Sequence, residues 1–239
     1  ALYHSCGYDF SMHDLQRFRK FGAKTAGHPE YSLPIEATTG PLSQGLANGV
    51  GQAIAQSRLR ALLGQDMIDY RVYVCVSDGC LAEGLAQEAL SLAGHLQLNN
   101  LIVLYDSNDI TIDGALSKSF SENIAARMAS LGWSYQRVDG HNLSEIDKSL
   151  SLAKTSSGPQ FIEMKTCIGH SLSEKVGTEK CHGSPVGEQL LKQLKQSLNI
   201  KEDWDLPQEH YQLFNLRQKF HHCYQSWYKE FEPRQDEFL

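Results

Sequence analysis

The sequence predicts an α/β fold, a mostly parallel β-sheet with helices on both faces. Short runs rich in Val, Ile and Leu alternate with helix-length segments between residues 71 and 166, and this alternation is typical of β-α-β units. The runs are apolar, as expected for strands that helices cover on both sides. A chain of 239 residues with 41% hydrophobic content can also bury the core that such a sheet requires.

The composition argues against several classes of protein. A formal net charge of −6 without a basic stripe gives no electrostatic basis for binding nucleic acid. The longest apolar runs are far shorter than the roughly 20 residues that cross a bilayer, so we expect no membrane contact and no secretory signal. The six cysteines form no C-x-x-C pair, which argues against zinc and disulfides and predicts reduced thiols in the cytoplasm. Cys75 and Cys167 lie in strand-like runs and are interpreted as packing residues.

The first part of the chain predicts short helices and a loop. It begins as though within a helix, and residues 11–14 resemble a capping box that opens a helix ending near Lys20. Residues 22–31 are punctuated by Gly and Pro, which predicts a loop. His28 in this loop is either an exposed residue or one that presents an imidazole to a cavity.

A Gly-rich turn leads into a long helix of small residues at positions 38–64. Gly45, Gly49 and Ala53 recur every four residues, so one helix face can approach another element closely. Such a face more often indicates tight packing than ligand contact. The turn from Gly40 to Leu42 is the better candidate for a ligand surface, because backbone groups at a helix entrance are unpaired.

The centre of the chain predicts a strand at 72–76, a helix, and a second strand at 101–105. A parallel β-α-β unit places the ends of neighbouring strands about 5 Å apart, so we expect Asp78 and Asn108 to lie together. A carboxylate and an amide oxygen suit a hard cation such as Mg²⁺, which often retains diphosphate oxygens in its shell. Gly79 would let the backbone approach a phosphate closely.

The sequence pattern leaves other interpretations of these residues open. Asp, Asn and Gly at strand ends are also ordinary turn formers and helix caps. An aspartyl phosphotransferase would use a strand-end Asp as nucleophile, although Asp78 has no second acidic residue two positions later. Glu83 and Glu88 lie on the following helix, where charged residues usually form a solvated face.

The alternation continues beyond the centre, with helices expected at 122–131 and 144–155 and strands at 133–138 and 159–166. The polar, Gly-rich stretch at 168–187 is longer than a simple connection in a compact domain needs, which indicates a functional loop. His182 within it is the strongest candidate for a functional histidine. Pro207 opens another helix with an aromatic stripe typical of a packing face, formed by Tyr211, Phe214, Phe220, Tyr224, Trp227 and Phe231. We therefore divide the chain into an α/β domain at 1–200 and a helical extension at 201–239.

Seven segments are together highly specific for one family: GYDFSMHDLQRFRKFGAKTAGHPEY, TTGPLSQG, SDGCLAEG, SNDITIDG, VDGH, KTCIG and GTEKCHGSPVG. With them, the sequence resembles the amino-terminal, diphosphate-binding domain of transketolase, which uses thiamine diphosphate. The resemblance covers nearly the whole chain. It implies the thiamine-diphosphate-binding α/β fold.

The resemblance also implies a metal-binding role for three residues. Asp78 and Asn108 would bind Mg²⁺ through their side chains and Ile110 through its carbonyl, with Ca²⁺ or Mn²⁺ as possible substitutes. The backbone of Gly79 would contact the diphosphate of the cofactor.

Other matching residues are implied to bind the rest of the cofactor or the substrate. Gly40 and Leu42 would lie against the cofactor rings, and Ile168 would pack on them. His182 would contact the diphosphate and the reacting centre, and His28 would contact the sugar substrate.

Two glutamates match family residues at a subunit interface. Glu83 and Glu88 would lie between two subunits and couple their active sites, and Glu83 is thereby a candidate catalytic residue. The partners implied are a second copy of the chain or a pyrimidine-binding domain.

The chemistry implied by the resemblance is transfer of a two-carbon ketol unit from a ketose phosphate to an aldose phosphate, in the pentose phosphate pathway. The cofactor serves as nucleophile and electron sink, and histidines serve in proton transfer and oxyanion stabilisation. Family members carry a preceding segment with further histidines and a following domain that activates the aminopyrimidine. We therefore expect this chain alone to lack turnover.

Three residues depart from the family pattern. Ser77 replaces the first Gly of a Gly-Asp-Gly triplet, Ser43 replaces the Gly of GPLGQG, and Asp109 adds negative charge beside the metal site, which could aid the cation or repel diphosphate. These departures motivate an alternative, a non-catalytic remnant or interaction module with the same fold. A closer alternative is another thiamine diphosphate enzyme, dihydroxyacetone synthase or deoxyxylulose-phosphate synthase. TTGPLSQG and GHPEY favour transketolase over the latter.

Overall fold

The computed structural model of this protein describes residues 1–32, 35–200, 204 and 206–238. They divide into two compact units. One contains residues 1–40, 60–69 and the described part of 202–239, and the other contains residues 41–59 and the described part of 70–201. The division at residue 200 that we expect from the sequence stays a prediction.

The second unit is built on a four-stranded parallel sheet with the strand order β1-β2-β6-β5. Its strands are β1 (Val72–Ser77), β2 (Leu101–Ser107), β5 (Ser134–Asp139) and β6 (Gln160–Lys165). The helices of this unit are α3 (Gln44–Leu63), whose last residues belong to the first unit, α4 (Asp78–Ala82), α5 (Gly84–His95), α6 (Ile124–Ser130), α7 (Leu143–Ala153) and α8 (Glu188–Ser197). The predicted parallel α/β fold is confirmed.

Each face of the sheet has its own core. The larger core joins Val74, Val103 and Phe161 of the strands to residues of α3, α5 and α6. The smaller core joins Ile102 and Ile162 to residues of α7. Alternate strand residues point to opposite faces, so the apolar runs of β2 and β6 supply both cores. This explains why these two central strands lack the polar alternation of a sheet exposed on one side.

Close packing of α3 on β1 depends on a glycine. A Cβ atom at Gly49 would lie 2.3 Å from Cγ2 of Val74, far inside contact distance. The predicted role of the small-residue helix face in tight packing is thus confirmed.

The first unit is mainly helical, with α1 (Leu2–Ser5), α2 (Met12–Gln16), α9 (Gln208–Phe214) and α10 (Arg217–Phe231). The predicted capping box is present, because Ser11 and Asp14 bond reciprocally at the start of α2. That helix ends at Gln16 rather than near Lys20. Within the described residues, no helix is long and apolar enough to cross a bilayer.

Two segments expected to form single helices are each broken. Glu83 has an extended backbone, with φ −75° and ψ 143°, and separates α4 from α5. Asn215 and Leu216 separate α9 from α10, so the aromatic stripe is shared between two helices. A small antiparallel hairpin, β3 (Ile110–Thr111) with β4 (Gly114–Ala115), adds to the predicted elements.

The interpretation of Cys75 as a packing residue is wrong, because its side chain is exposed. In β1 the valines face the larger core, so Tyr73 and Cys75 point to the opposite face. The smaller core on that face involves β2, β5 and β6 rather than β1. All six cysteines are free thiols.

We predict that Leu90→Ala lowers the free energy of unfolding by about 2–5 kcal/mol, because it leaves a cavity in a packed core. Leu90 is 0% exposed. The matched control is Leu92→Ala in the same helix, where Leu92 is 46% exposed and the expected change is below about 0.5 kcal/mol. Urea denaturation followed by circular dichroism measures both, and equal losses would contradict this account of the core.

Candidate functional site

The carboxyl ends of β1 and β2 bring together the two residues predicted to bind a cation. Asp78 follows β1 as the first residue of α4 and is only 2% exposed. Asn108 directly follows β2, and its backbone N–H donates to Asp78 Oδ2 at 3.2 Å. The parallel register of the two strands therefore places them as the sequence predicts.

The Asp78 carboxylate is held by three donors. Oδ2 accepts a second backbone hydrogen bond from Asp109 at 3.0 Å, and Oδ1 accepts one from the Tyr105 hydroxyl. Burial raises the pKa of Asp78, and the hydrogen bonds from Tyr105, Asn108 and Asp109 oppose that rise. The three hydrogen bonds fix the position of the Asp78 carboxylate at the end of β1.

Asn108 is also oriented by its neighbours. Its side-chain Oδ1 accepts the Ile110 N–H at 3.0 Å, a local bond typical of an Asx turn. Ile110 begins the β3-β4 hairpin, which fixes the backbone that carries the third expected ligand. Hydrogen bonds from backbone N–H groups to side chains thus link Ile110 to Asn108 and Asn108 to Asp78.

The donor set fits Mg²⁺ rather than a softer metal. The described ranges contain no group of three or more His, Cys, Asp or Glu side chains that could hold a metal ion. The set at the strand ends instead offers one carboxylate, one amide and one peptide carbonyl. Oxygen donors that leave positions for phosphate and water are typical of magnesium sites.

The turn before α3 lies beside α4. A Cβ atom at Gly79 would lie 3.5 Å from Cδ1 of Leu42, so Leu42 and Gly79 are neighbours. The Leu42 side chain is exposed. These two predicted cofactor contacts therefore share one surface in the second unit.

Two more predicted residues contact each other in the first unit. Gly40 has φ +130°, and a Cβ atom there would lie 3.1 Å from Cγ of His28. Only glycine adopts this backbone readily and leaves room for the imidazole. His28 is exposed, which is compatible with both interpretations of the loop histidine.

The loop after β6 carries the remaining candidates. The Ile168 carbonyl accepts the Gly177 N–H at 2.9 Å, which closes the loop on itself. His182 follows a short 3-10 turn, Glu179–Cys181, and is exposed. Within the residues that the structure describes, no hydrogen bond joins His182 to Asp78 or Asn108.

Glu83 and Glu88 are both exposed. Glu83 lies at the break between α4 and α5, and its carbonyl accepts the Ala86 N–H at 3.1 Å. Glu88 lies on α5. Exposure is compatible with a solvated face and with a subunit interface, so the interface role stays a prediction.

The three departures from the family pattern have different structural consequences. Ser77 has φ −122°, an extended backbone that any residue adopts. Lys165 Nζ lies 2.5 Å from Asp109 Oδ2, so the added negative charge is paired. Ser43 has φ +63°, a left-handed conformation that costs a residue with a Cβ roughly 1–2 kcal/mol.

Ser43 carries a second cost. It is 3% exposed, and its buried Oγ has no hydrogen-bond partner among the described residues. An unsatisfied buried hydroxyl costs about 1–3 kcal/mol. Ser43 is therefore a source of strain in the turn before α3.

The structure contains a polar network beside Asp78 that the sequence does not predict. Glu163 accepts hydrogen bonds from Ser107, at 3.0 Å, and from Tyr135, at 2.5 Å. With Tyr105 these residues line a cavity of about 690 Å³. The available signal was that Tyr105, Ser107 and Glu163 interrupt otherwise apolar strands.

Fold and site together define a class of protein, an α/β domain with oxygen-bearing side chains and a glycine at the carboxyl edge of its parallel strands, as in diphosphate-cofactor domains. A family model described as "Transketolase, thiamine diphosphate binding domain" matches residues 1–238. The chain belongs to the transketolase family.

Similar proteins agree with this assignment. The transketolase of Geobacillus stearothermophilus is 49% identical over 223 residues, which are 90% of this chain and 33% of the relative. The transketolase of Kluyveromyces lactis is 45% identical over the same shares. This chain thus spans about a third of the length of the curated relatives it matches.

Solved structures show the same likeness. Transketolase from Campylobacter jejuni superposes with a TM-score of 0.93 at 39% identity, covering 97% of this chain and 37% of that one. A Pichia stipitis transketolase in complex with sedoheptulose-7-phosphate superposes with a TM-score of 0.92 at 37% identity, covering 98% and 36%.

We predict that Ser43→Gly raises the free energy of unfolding by about 1–3 kcal/mol, because it removes both the left-handed strain and the unsatisfied hydroxyl. Ser43→Ala is the matched control, since it removes the hydroxyl and retains the strain, and it should recover a smaller part. Urea denaturation measures both. A Gly variant no more stable than the wild type would contradict the interpretation of this turn.

Proposed function

We propose that this chain is the diphosphate-binding part of a transketolase, which transfers a two-carbon ketol unit from a ketose phosphate to an aldose phosphate. One observation carries the proposal within this family. The buried Asp78 carboxylate lies beside Asn108 at adjacent strand ends, held by three hydrogen bonds. The sugar phosphate in the Pichia stipitis complex supports the substrate class.

In this proposal the strand ends hold the metal and the diphosphate. Asp78, Asn108 and Ile110 bind Mg²⁺ through a carboxylate, an amide oxygen and a carbonyl, and Ca²⁺ or Mn²⁺ can replace it. The backbone at Gly79 contacts the diphosphate, because a residue without Cβ lets phosphate oxygens approach. The metal offsets the charge that would otherwise oppose binding beside Asp78.

Further residues bind the rest of the cofactor and the substrate. Gly40, Leu42 and Ile168 contact the cofactor rings, and the exposed side chain of Leu42 supplies apolar surface for this. When bound, thiamine diphosphate supplies the nucleophilic carbon and the electron sink. His182 and His28 move protons and orient the sugar, roles that histidine side chains commonly serve in catalysis.

The complete site would be shared between subunits. Glu83 and Glu88 contribute to a homodimer interface or to the contact with a pyrimidine-binding domain, and their exposure in this chain supports that. The six free thiols support a place in the reducing cytoplasm, and in this proposal the protein serves the pentose phosphate pathway there. The chain alone is expected to lack turnover.

A second candidate function is a non-catalytic member of the family. The strained, unsatisfied Ser43 at the turn before α3 favours it, because this turn includes Leu42, a predicted cofactor contact. Binding and activity must therefore be measured separately.

We predict that Asp78→Ala abolishes Mg²⁺-dependent binding of thiamine diphosphate by a chimera in which this chain replaces the aligned segment of the Geobacillus stearothermophilus enzyme, because it removes the only charged ligand of the proposed site. Titration calorimetry at millimolar cofactor measures it. Asp106→Ala is the matched control, since Asp106 is an exposed carboxylate near the end of β2. Undiminished affinity in Asp78→Ala, with circular dichroism confirming the fold, would mean that Asp78 is only a turn residue.

We also predict ketol transfer by a chimera in which this chain replaces the aligned segment of the Geobacillus stearothermophilus enzyme. Coupled assays with ketose phosphate donors measure the rate, and the same chimera carrying Asp78→Ala should be inactive. A folded chimera that binds the cofactor but transfers no ketol unit would support the non-catalytic function. The same assays with a range of ketose donors and aldose acceptors separate transketolase from dihydroxyacetone synthase.

A further inference from the structure

Glu163 is a buried carboxylate in β6, a central strand of the sheet. It is 8% exposed. Its Oε1 accepts a hydrogen bond from the Ser107 hydroxyl at 3.0 Å, and its Oε2 accepts one from the Tyr135 hydroxyl at 2.5 Å. Arg137 Nε lies 3.6 Å from Oε1. Because Ser107 belongs to β2, and Tyr135 and Arg137 belong to β5, this one carboxylate joins three strands.

Stability alone does not explain a carboxylate at this position. Taking a charge out of water costs free energy, and an apolar residue of similar size is often equally or more stabilising at a buried ionic position. The ion pair with Arg137 compensates weakly, because the Arg137 side chain is 58% exposed. The directional hydrogen bonds that Glu163 accepts account better for its charge than a contribution to stability does.

One of these hydrogen bonds ends at the residue before a predicted metal ligand. Ser107 is the last residue of β2, directly before Asn108, and is 3% exposed. The pairing of β1 with β2 ends at Asp106, whereas the Ser107 carbonyl still accepts the Thr166 N–H at 3.1 Å. Ser107 is therefore held from the β6 side, through its backbone and through its bond to Glu163.

The residue on the other side of Asn108 also contacts β6. Asp109 pairs with Lys165, which lies two residues after Glu163 and so on the same face of the sheet. The Asp109 side chain is 67% exposed, and exposed ion pairs contribute little. The buried, charged acceptor Glu163 makes the stronger of these two side-chain contacts.

We propose that Glu163 is a positioning residue that holds Asn108 in place for the cation by fixing Ser107. The proposal deepens the proposed function and depends on it. Mg²⁺ requires near-ideal octahedral geometry, so a small displacement of a ligand weakens its binding. The Asn108 N–H also donates to Asp78 Oδ2, so a displaced Asn108 would disturb both side-chain ligands.

The test compares variants of the chimera with the Geobacillus stearothermophilus enzyme. Glu163→Met removes the acceptor and keeps an unbranched side chain, whereas Glu163→Gln keeps a carbonyl oxygen that can accept from Ser107. Ser107→Ala removes the donor. Gln160→Met is the matched control, because Gln160 is 1% exposed and lies at the opposite end of the same strand.

We predict that Glu163→Met weakens Mg²⁺-dependent binding of thiamine diphosphate about 10-fold, as the loss of a group that orients a metal ligand does. Titration calorimetry measures this. Ser107→Ala should cause a similar loss, and combining the two changes should add nothing, because both remove the same contact. Glu163→Gln and Gln160→Met should bind as the wild type does. Additive losses, or an equal loss in either of the last two variants, would overturn the proposal.

Hydrogen exchange tests the position of Asn108 without metal or cofactor. Mass spectrometry of a peptide that spans residues 107–110 should show faster exchange in Glu163→Met and Ser107→Ala and wild-type exchange in Gln160→Met, and thermal unfolding checks each fold. If Glu163→Met does not fold, Ser107→Ala carries both measurements. A wild-type chimera that binds no cofactor with Mg²⁺ would refute the proposed function, whereas wild-type exchange in the first two variants would refute the role of Glu163 alone.

Discussion

The buried carboxylate of Asp78 is the constraint on which the rest of the site depends. An ionised carboxylate taken out of water loses several kcal/mol of hydration, and hydrogen bonds to a charged group return about 1.5–3 kcal/mol each. The donors come from β2 and from the residues just after it. The charge at the end of β1 is therefore balanced only while β1 and β2 keep their register, which couples the sheet to the site.

The main features of the fold were predictable from the sequence because burial on both faces leaves a simple signal. The run 101–105 contains apolar residues of both cores, the run 72–76 contains those of the larger core, and parallel pairing follows from the helices between them. The break at Glu83 has no comparable signal, since glutamate is an ordinary helix residue. The exposure of Cys75 likewise depends on which strands α7 covers, and the strand sequence does not contain that information.

The sequence likewise predicts some features of the site and not others. Asp78 and Asn108 could be placed together because topology alone joins the ends of adjacent parallel strands. Tyr105 could not be assigned a role, because a tyrosine in an apolar run is typical of a core residue and only the fold reveals its donor bond. The two Gly-to-Ser departures look equivalent in the sequence, yet φ is −122° at Ser77 and +63° at Ser43. Backbone conformation, which the sequence does not give, separates a neutral change from a costly one.

The position of the strain bears on whether the departures impair the site. Ser77 has an ordinary extended backbone, and the charge of Asp109 is paired with Lys165. Asp109 also has φ +64°, but Asp adopts this left-handed conformation more readily than most residues, and the Asp109 N–H donates to Asp78. The larger cost falls on Ser43, whose buried Oγ has no hydrogen-bond partner among the described residues. An unsatisfied buried hydroxyl lowers stability, and proteins commonly carry such costs. The departures therefore cost folding stability at the turn before α3, while the hydrogen bonds to Asp78 are all formed.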